Sequence, residues 1–435
     1  MSKASMMKQQ RVEIKALGPK GDGIAHLDNS ETVFVSRAAA GDVVDIRVHK
    51  NKQDLLRGDI VNIVTPSPER SAAPCPHYEA CGGCQLQHIT AAAYQDWTAA
   101  TVLNALAERD VQAETVLPPV FIPSHTRRRT NWVALVQKDK VYLGYNQQRA
   151  HNIVDIDECL VLHPRLNAMK EAFKPYLKRI LRDSRRANIF VQLCDDLCEV
   201  VITGELSSRR GEMDLNIMES VAEMAQKLGL ARVSWREKDR HTPQVMIAPE
   251  PFKKRFGVLH VDMPPQAFIQ PSAEGEAALV GGVMTALENF VQKKKPRMAD
   301  LFAGSGCFAG HMAALGAVDA YEFADEAIDH LSSAAGGKGI QAYKRNLFER
   351  PLTVDELNVY GAVVFDPPRA GAKEQAATLA ASKVPVVIGV SCNPRSFARD
   401  AATLIAGGYV LKTLQIVDQF VYSAHLEVIG VFLRK

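Results

Sequence analysis

The sequence predicts a multidomain chain: a small OB-like β-barrel at the N-terminus, a central α+β region, and a C-terminal doubly wound α/β domain of Rossmann-like type. Three observations carry that prediction. Five short apolar runs separated by turn residues fill positions 11–64, the pattern of a small closed barrel. Three prolines at 66, 68 and 74 then interrupt it, which is linker chemistry. From Pro296 onward, strand-like runs alternate with helical segments across Gly-rich turns, as in an open and mainly parallel sheet.

The chain has 435 residues, 47% hydrophobic and 23% charged, with 52 Lys and Arg against 49 Asp and Glu. At ~150 residues per domain this is material for two to four folded cores. No run approaches the ~18 consecutive apolar residues of a membrane span, and residues 1–11 lack the apolar core of a secretory leader. A cytoplasmic protein with no membrane partner is expected. The net charge of +3 is too small to mark the whole chain as a nucleic-acid binder, so any basic face must be local. Eight cysteines in a chain this long do not make a disulfide scaffold. In a reducing compartment their spacing reports metal binding or catalysis.

Taken in order, the barrel runs are 12–16, 21–25, 32–35, 43–48 and 59–64, with turns at Gly18-Pro19-Lys20-Gly21-Asp22-Gly23 and Ala40-Gly41-Asp42. The first domain is therefore 1–66. Tyr94, Trp97, Val102, Leu103 and Leu106 recur at helical spacing and predict a helix over 91–110. The central domain, 67–258, mixes strands such as 131–136 and 197–202 with helices such as 165–181 and 213–228. Within 127–186 there are 14 basic and 6 acidic residues, a local excess of +8. Arg127-Arg128-Arg129 and the arginines of 182–186 are suitable phosphate donors. Cys194 and Cys198 flank a predicted Asp195-Asp196 turn and read as core cysteines.

In the third domain, 259–435, the strands expected are 298–302, 320–323, 342–344, 362–365, 386–390, 409–417 and 426–433. Gly407-Gly408 closes a helix over 395–406. Asp300-Leu301-Phe302-Ala303-Gly304-Ser305-Gly306-Cys307 places an acid and a Gly-x-Gly turn after the first strand. Gly304 and Gly306 let backbone approach a nucleotide-like ligand at the strand ends. The third glycine of a dinucleotide fingerprint is missing from its usual place, which favours S-adenosylmethionine over NAD. Sixteen residues after Gly306, Glu322 ends the second strand, where a carboxylate can accept from both ribose hydroxyls. In Asp366-Pro367-Pro368-Arg369 the prolines stop an apolar strand and hold the Asp carboxylate at the crevice mouth. Enzymes that methylate exocyclic amines typically carry an aromatic residue fourth in this motif, so Arg369 argues for different chemistry. Ser391-Cys392-Asn393-Pro394 ends the next strand just ahead of a helix, where the helix dipole would favour a thiolate.

The glycine-bracketed strands and the Gly21-Asp22-Gly23-Ile24-Ala25 run resemble a TRAM domain, an RNA-binding appendage. With the cysteine cluster and the C-terminal motifs, the resemblance extends over nearly the whole chain to the RNA uracil-5-methyltransferases, most closely those acting on 23S ribosomal RNA. That resemblance implies a class I S-adenosylmethionine-dependent methyltransferase domain and a monomer with ribosomal RNA as partner. It makes Cys392 the nucleophile and Glu427 the general base, and it puts Gln270, Phe302, Cys307, Glu322, Asn346 and Asp366 at the cofactor positions. The family commonly has Asn where this chain has Cys307. The chemistry asks for the same groups. Uracil C5 is a poor nucleophile until a thiolate adds at C6, the C5 proton needs a carboxylate to take it, and Asp366 can hold the uracil or the cofactor amine. The target base must be splayed from its loop.

Cys75, Cys81 and Cys84 lie in a Pro- and Gly-rich loop, with Cys159 as a fourth candidate ligand. Four thiolates suit either a [4Fe–4S] cluster or structural zinc, and His77 and His88 make a mixed zinc site conceivable. The family resemblance implies [4Fe–4S] through the four cysteines. Three rival functions remain to be tested against this reading: methylation of transfer RNA, exocyclic-amine methylation, and a non-catalytic role in ribosome assembly. A radical enzyme bearing a TRAM domain is excluded, because its Cys-x3-Cys-x2-Cys triad is absent.

Overall fold

The computed structural model describes residues 9–51, 53–148, 150, 152–207, 214–291 and 295–435. The chain divides into two compact units. The first comprises residues 1–104, 147–150 and 422–425; the second comprises 105–146, 151–421 and 426–435.

In the first unit six strands form one sheet, in the order Gln9–Glu13, Val43–Lys50, Leu56–Thr65, Thr32–Val35, Gly23–His26 and Ala16–Leu17. The two ends of that order belong to one stretch of chain. It bends at Ile14-Lys15, whose N–H groups donate to Asp42 O and Ile24 O, both at 2.8 Å. The predicted run 12–16 is thus two strands and not one, because closing a barrel requires the chain to switch neighbours there. Val12, Ile14, Ala25, Val33, Val35, Ala38, Val44 and Ile46 fill the interior. Asp42 is fully buried beneath them, accepting from Ala39 N at 2.7 Å and Ser67 N at 2.9 Å and pairing with Arg70. The loop 74–88 has no regular element. Arg37 of the barrel holds it by donating to Glu79 O at 2.6 Å while its guanidinium lies 5.0 Å from the Tyr78 ring. The helix predicted over 91–110 spans Ala91–Ala107.

The second unit holds two large sheets. One has seven strands in the order Ile153–Asp155, Lys140–Asn146, Arg129–Gln137, Arg186–Cys194, Leu197–Thr203, Arg232–Arg236 and Gln244–Ile247. Helices Pro164–Ile180 and Leu215–Leu228 contribute Phe173, Leu177, Val221 and Met224 to its core with Trp132 and Ile189. Met213, the predicted start of the second helix, lies outside the described residues. Cys194 and Cys198 are buried on either side of a turn in which Asp195 adopts φ 54°, and burial pushes both thiols up to about 12, as expected of core cysteines.

The other sheet runs Ile340–Lys344, Ala317–Glu322, Arg297–Leu301, Ala362–Phe365, Val386–Ser391, Glu427–Arg434, Tyr409–Asp418 and Thr115–Val116, with Val120–Phe121 also pairing Tyr409–Asp418. The first five strands are parallel and Glu427–Arg434 is antiparallel. From Arg297–Leu301 the chain builds outward to one side, then returns to place Ala362–Phe365 on the other. The gap between those two strands is the topological switch point at which open sheets take ligands. Because Glu427–Arg434 runs antiparallel, its first residue lies at the same sheet edge as the last residues of its parallel neighbours, with Val428 opposite Ser391. The short strands 115–116 and 120–121 were not expected from the sequence.

Candidate active site

The glycine turn follows strand Arg297–Leu301 directly. Phe302 takes φ 64°, Gly304 φ 54° and Gly306 φ 89°. Glycine takes this left-handed region freely at 304 and 306, whereas Phe302 occupies it with a side chain and so carries strain that its surroundings hold. A Cβ on Gly306 would lie 2.6 Å from Leu331, whereas one on Gly304 would meet nothing within 4 Å, so Gly304 faces open space. Gly304 N donates to Glu322 Oε2 at 2.9 Å, and the other carboxylate oxygen of Glu322 accepts from Phe323 N at 2.7 Å and Ala324 N at 2.8 Å. Two motifs that sequence spacing had only suggested as partners are thus joined. Asn346 follows strand Ile340–Lys344 and accepts from Phe348 N at 3.1 Å, and the Phe348 ring sits 5.3 Å from that of Phe302. Cys307 begins helix Cys307–Met312, and burial pushes its thiol well above the ordinary range.

At the switch point, Asp366 extends from strand Ala362–Phe365 with its N–H on Leu301 O at 3.2 Å. Burial raises its carboxyl to about 7. Glu427 is buried, and its carboxyl is pushed up to about 8, first by burial and then by Asp366, against the pull of Gln419, Arg129 and Arg369. Cys392 is half-buried, and its thiol rises to about 11 through burial, Glu427 and Asp366, with Arg369 opposing. The expectation that the helix dipole would lower this thiol is corrected. The helix does begin at Pro394, but burial and the carboxyls of Glu427 and Asp366 push the thiol up. The three groups named from sequence as the chemical set therefore face one another electrostatically. Asn393 fastens the Cys392 loop to the Asp366 loop by donating to Arg369 O at 2.9 Å.

Gln270 is buried, with its backbone oxygen accepting from Arg128 Nε at 2.9 Å and its Oε1 accepting from Gln419 Nε2, also at 2.9 Å. Gln419 was not singled out from the sequence. The available signal was a second consecutive polar residue, after Asp418, following the apolar strand that ends at the ligand edge. Arg129 and Arg128 correct another expectation. Arg128 is buried against Glu276 at 2.6 Å, and Arg129 stacks 4.4 Å from the exposed Phe268 ring, its guanidinium desolvated enough to fall to about 10. Neither is a plain solvent-facing phosphate donor. Lys170 of the same basic segment is buried on Asp155 at 3.1 Å, and Arg179 and Arg182 pair with Glu223 and Glu205 from outside it. The +8 excess is partly cancelled by these partners.

None of the eight cysteines is in a disulfide. Within the first unit, Cys81 Sγ accepts from Gly83 N at 3.4 Å, and Cys75 N donates to Gln87 Oε1 at 3.1 Å. Within the second, Cys159 N donates to Asn167 Oδ1 at 3.0 Å. His88 is committed to the Tyr78 hydroxyl at 2.7 Å, and burial lowers it to about 4. Among the described residues no group of three His, Cys, Asp or Glu side chains is gathered to hold a metal ion. Cys75, Cys81, Cys84 and Cys159 are reduced thiols, the donor type that a [4Fe–4S] cluster or structural zinc takes.

The TRAM domain family matches residues 7–61, and the tRNA (Uracil-5-)-methyltransferase family matches residues 341–435. An uncharacterized RNA methyltransferase of Caulobacter vibrioides is 36% identical over 98% of this chain and 100% of its own length. The 23S rRNA (uracil(1939)-C(5))-methyltransferase RlmD of Chromohalobacter salexigens is 28% identical over 96% of this chain and 87% of its own. The chain belongs to the RNA uracil-5-methyltransferase family. A crystal structure of the Pyrococcus abyssi tRNA (uracil-54, C5)-methyltransferase in complex with S-adenosyl-L-homocysteine shares the fold of this uracil-5-methyltransferase family member. It has a TM-score of 0.73 and 21% identity, covering 99% of this chain and all of that one. Among the described residues no helix is long and apolar enough to cross a membrane.

Proposed function

We propose that this protein methylates C5 of a uridine in 23S ribosomal RNA with S-adenosylmethionine, through a transient covalent bond between Cys392 and uracil C6. The observation that carries the reading is the set formed at one sheet edge by the Cys392 thiol and the Asp366 and Glu427 carboxyls, both of raised proton affinity. Bound S-adenosylmethionine supplies the methyl group on an electrophilic sulfonium. Gln270, Phe302, Gly304, Gly306, Cys307, Glu322, Asn346 and Asp366 would hold it, Glu322 at the ribose.

Cys392 as thiolate adds to C6, and the ring electrons move to C5 and the neighbouring carbonyl oxygen. C5 then bonds the methyl carbon as that carbon's bond to sulfur breaks. Glu427 takes the C5 proton, and the electron pair left behind expels Cys392 from C6, restoring thiolate and aromatic-like ring. Arg369 and Arg129, the cations facing this set, favour the charged forms of Cys392 and Glu427 when they are needed. A carboxyl titrating near 8 is well matched to accepting a proton near neutral pH.

Cys75, Cys81, Cys84 and Cys159 would hold a [4Fe–4S] cluster of structural role, since no step above moves an electron. The boundary near 66 has the support of an apolar core made only of residues 12–46, whereas Ile122, Cys194, Ala231, Phe252 and Phe256 share a core with residues beyond 258, so the boundary at 258 stays a proposal from the sequence, and the protein is taken to act as a cytoplasmic monomer. The 23S target rests on the likeness to RlmD. The test has two arms. Cys392→Ala with a ribosomal RNA fragment and methyl-labelled cofactor should incorporate no label, and full incorporation would exclude the covalent route. Mapping 5-methyluridine in cells with and without the protein should show loss of a 23S site. Loss of a transfer-RNA site would overturn the substrate, and no loss at all would favour the non-catalytic role.

A further inference from the structure

We propose that Gln419 is a positioning residue that ties the proton-accepting carboxylate to the cofactor-facing amide, donating one hydrogen of a single NH2 group to each. Its Nε2 lies 2.9 Å from Gln270 Oε1 and 3.1 Å from Glu427 Oε1. The side chain is buried and comes from the end of strand Tyr409–Asp418. Gln270 precedes helix Ala273–Phe290, and Glu427 opens the last strand. One planar amide thus fixes groups from three elements.

The amide, as placed, suits an ionised Glu427. Gln419 Oε1 has no hydrogen-bond partner and is turned toward the first turn of helix Ala273–Phe290, where the partial positive charge of a helix N-terminus suits an oxygen. Turned over, the amide would set its oxygen against an ionised Glu427. Glycine at 275 makes the room: a Cβ there would sit 2.4 Å from Gln419 Oε1. Two consequences follow for the site. Gln270, with its carbonyl oxygen occupied, offers only N–H donors to a ligand, which selects an acceptor such as a carboxylate or carbonyl oxygen. Glu427, receiving a hydrogen bond to its charged form, is held as a better-defined base than its burial alone would leave it. The other groups facing Glu427 are Asp366 and Cys392, which disfavour its ionisation or compete with it, and Arg129 and Arg369, which favour it. This inference rests on Glu427 taking the C5 proton.

The test uses the full-length protein labelled with 13C at glutamate carboxyls, the Glu427 signal being assigned by its absence in Glu427→Gln. Gln419→Met, apolar and of equal length, should raise the Glu427 midpoint by about one pH unit, the worth of one hydrogen bond to a charged group. It should also raise KM for S-adenosylmethionine about tenfold with KM for RNA unchanged. Gly275→Ala, which leaves Gln419 in the chain but pushes its amide aside, should move the midpoint in the same direction, and it serves if Gln419→Met does not fold. A midpoint unmoved in both variants overturns the proposal. If the midpoint moves but the parent protein forms no 5-methyluridine, the tie stands and the functional reading falls. If 5-methyluridine forms and the midpoint stays, the function stands and the tie falls.

Discussion

Replacing Glu427 by glutamine should make the protein more stable, and more so as pH rises. The carboxyl is buried and its proton affinity is raised from the ordinary 4.5 to about 8, with burial the first cause and the nearby Asp366 the second. A carboxyl whose folded-state affinity lies above its unfolded one favours folding only while protonated. Its contribution is intact below about pH 4.5, declines as pH rises, and is fully lost above about 8. Each pH unit within that window is worth about 1.4 kcal/mol, so the neutral glutamine should gain on the order of 5 kcal/mol over the parent at pH 8.5 and almost nothing at pH 4.5. The second unit, of roughly 320 residues, has an unfolding entropy near 0.7 kcal/mol/K, so the gain corresponds to about 7 °C in Tm. Thermal unfolding of both proteins at pH 5, 6.5 and 8.5, followed by circular dichroism, measures it. A Tm difference that is constant across pH, or a glutamine variant less stable at pH 8.5, would refute the reasoning. The same variant should lose methyl transfer, as expected of a site that trades stability for chemistry.

Three further outcomes are expected. Because the Cys392 thiol is held near 11 by burial and two carboxylates, its alkylation by iodoacetamide should accelerate about tenfold per pH unit between 7.5 and 9.5; a plateau near pH 8, read by peptide mass spectrometry, would contradict that environment. Gly310→Ala would place a Cβ 2.1 Å from Phe256 O and should cost about 3 kcal/mol in urea unfolding, raising KM for S-adenosylmethionine because the same short helix begins at Cys307. Asp42→Ala strips Arg70 of its buried partner and should cost about 3–5 kcal/mol. Although burial pushes Asp42 up, Arg70 and the N–H groups of Ser67 and Ala39 hold it below the ordinary range. The barrel's own stability should therefore fall as pH drops through the acid region, and that slope should disappear in the alanine variant.

Where a residue's place in the fold depended on local pattern, it could be read from the chain. Asp366 and Cys392 each follow an apolar run closed by proline, and those runs are the strands Ala362–Phe365 and Val386–Ser391. Glu322 was legible for the same reason, as the last residue of a strand after a glycine turn. What failed depended on partners distant in sequence. Gln419 acquires its role from Gln270, and the bend at Ile14-Lys15 from barrel closure; neither has a local marker. Arg128 reads as one of three adjacent basic residues, yet it is buried on Glu276 from another element. The Cys392 thiol misled because the helix start is visible in sequence while its two carboxylate neighbours are assembled by the sheet.

The pairing of Thr115–Val116 and Val120–Phe121 with Tyr409–Asp418 sets a schedule for synthesis. At about 5–20 residues per second, some 300 residues must still be made after residue 115 is added before its partner at Thr413 exists. For roughly 15–60 s the segment that leads into the central sheet has unpaired backbone. A chain stopped between residues 419 and 426 would therefore contain the glycine turn, Asp366, Cys392 and the partner strand Tyr409–Asp418, but lack both Glu427 and the strand Glu427–Arg434 that lies between Val386–Ser391 and that partner.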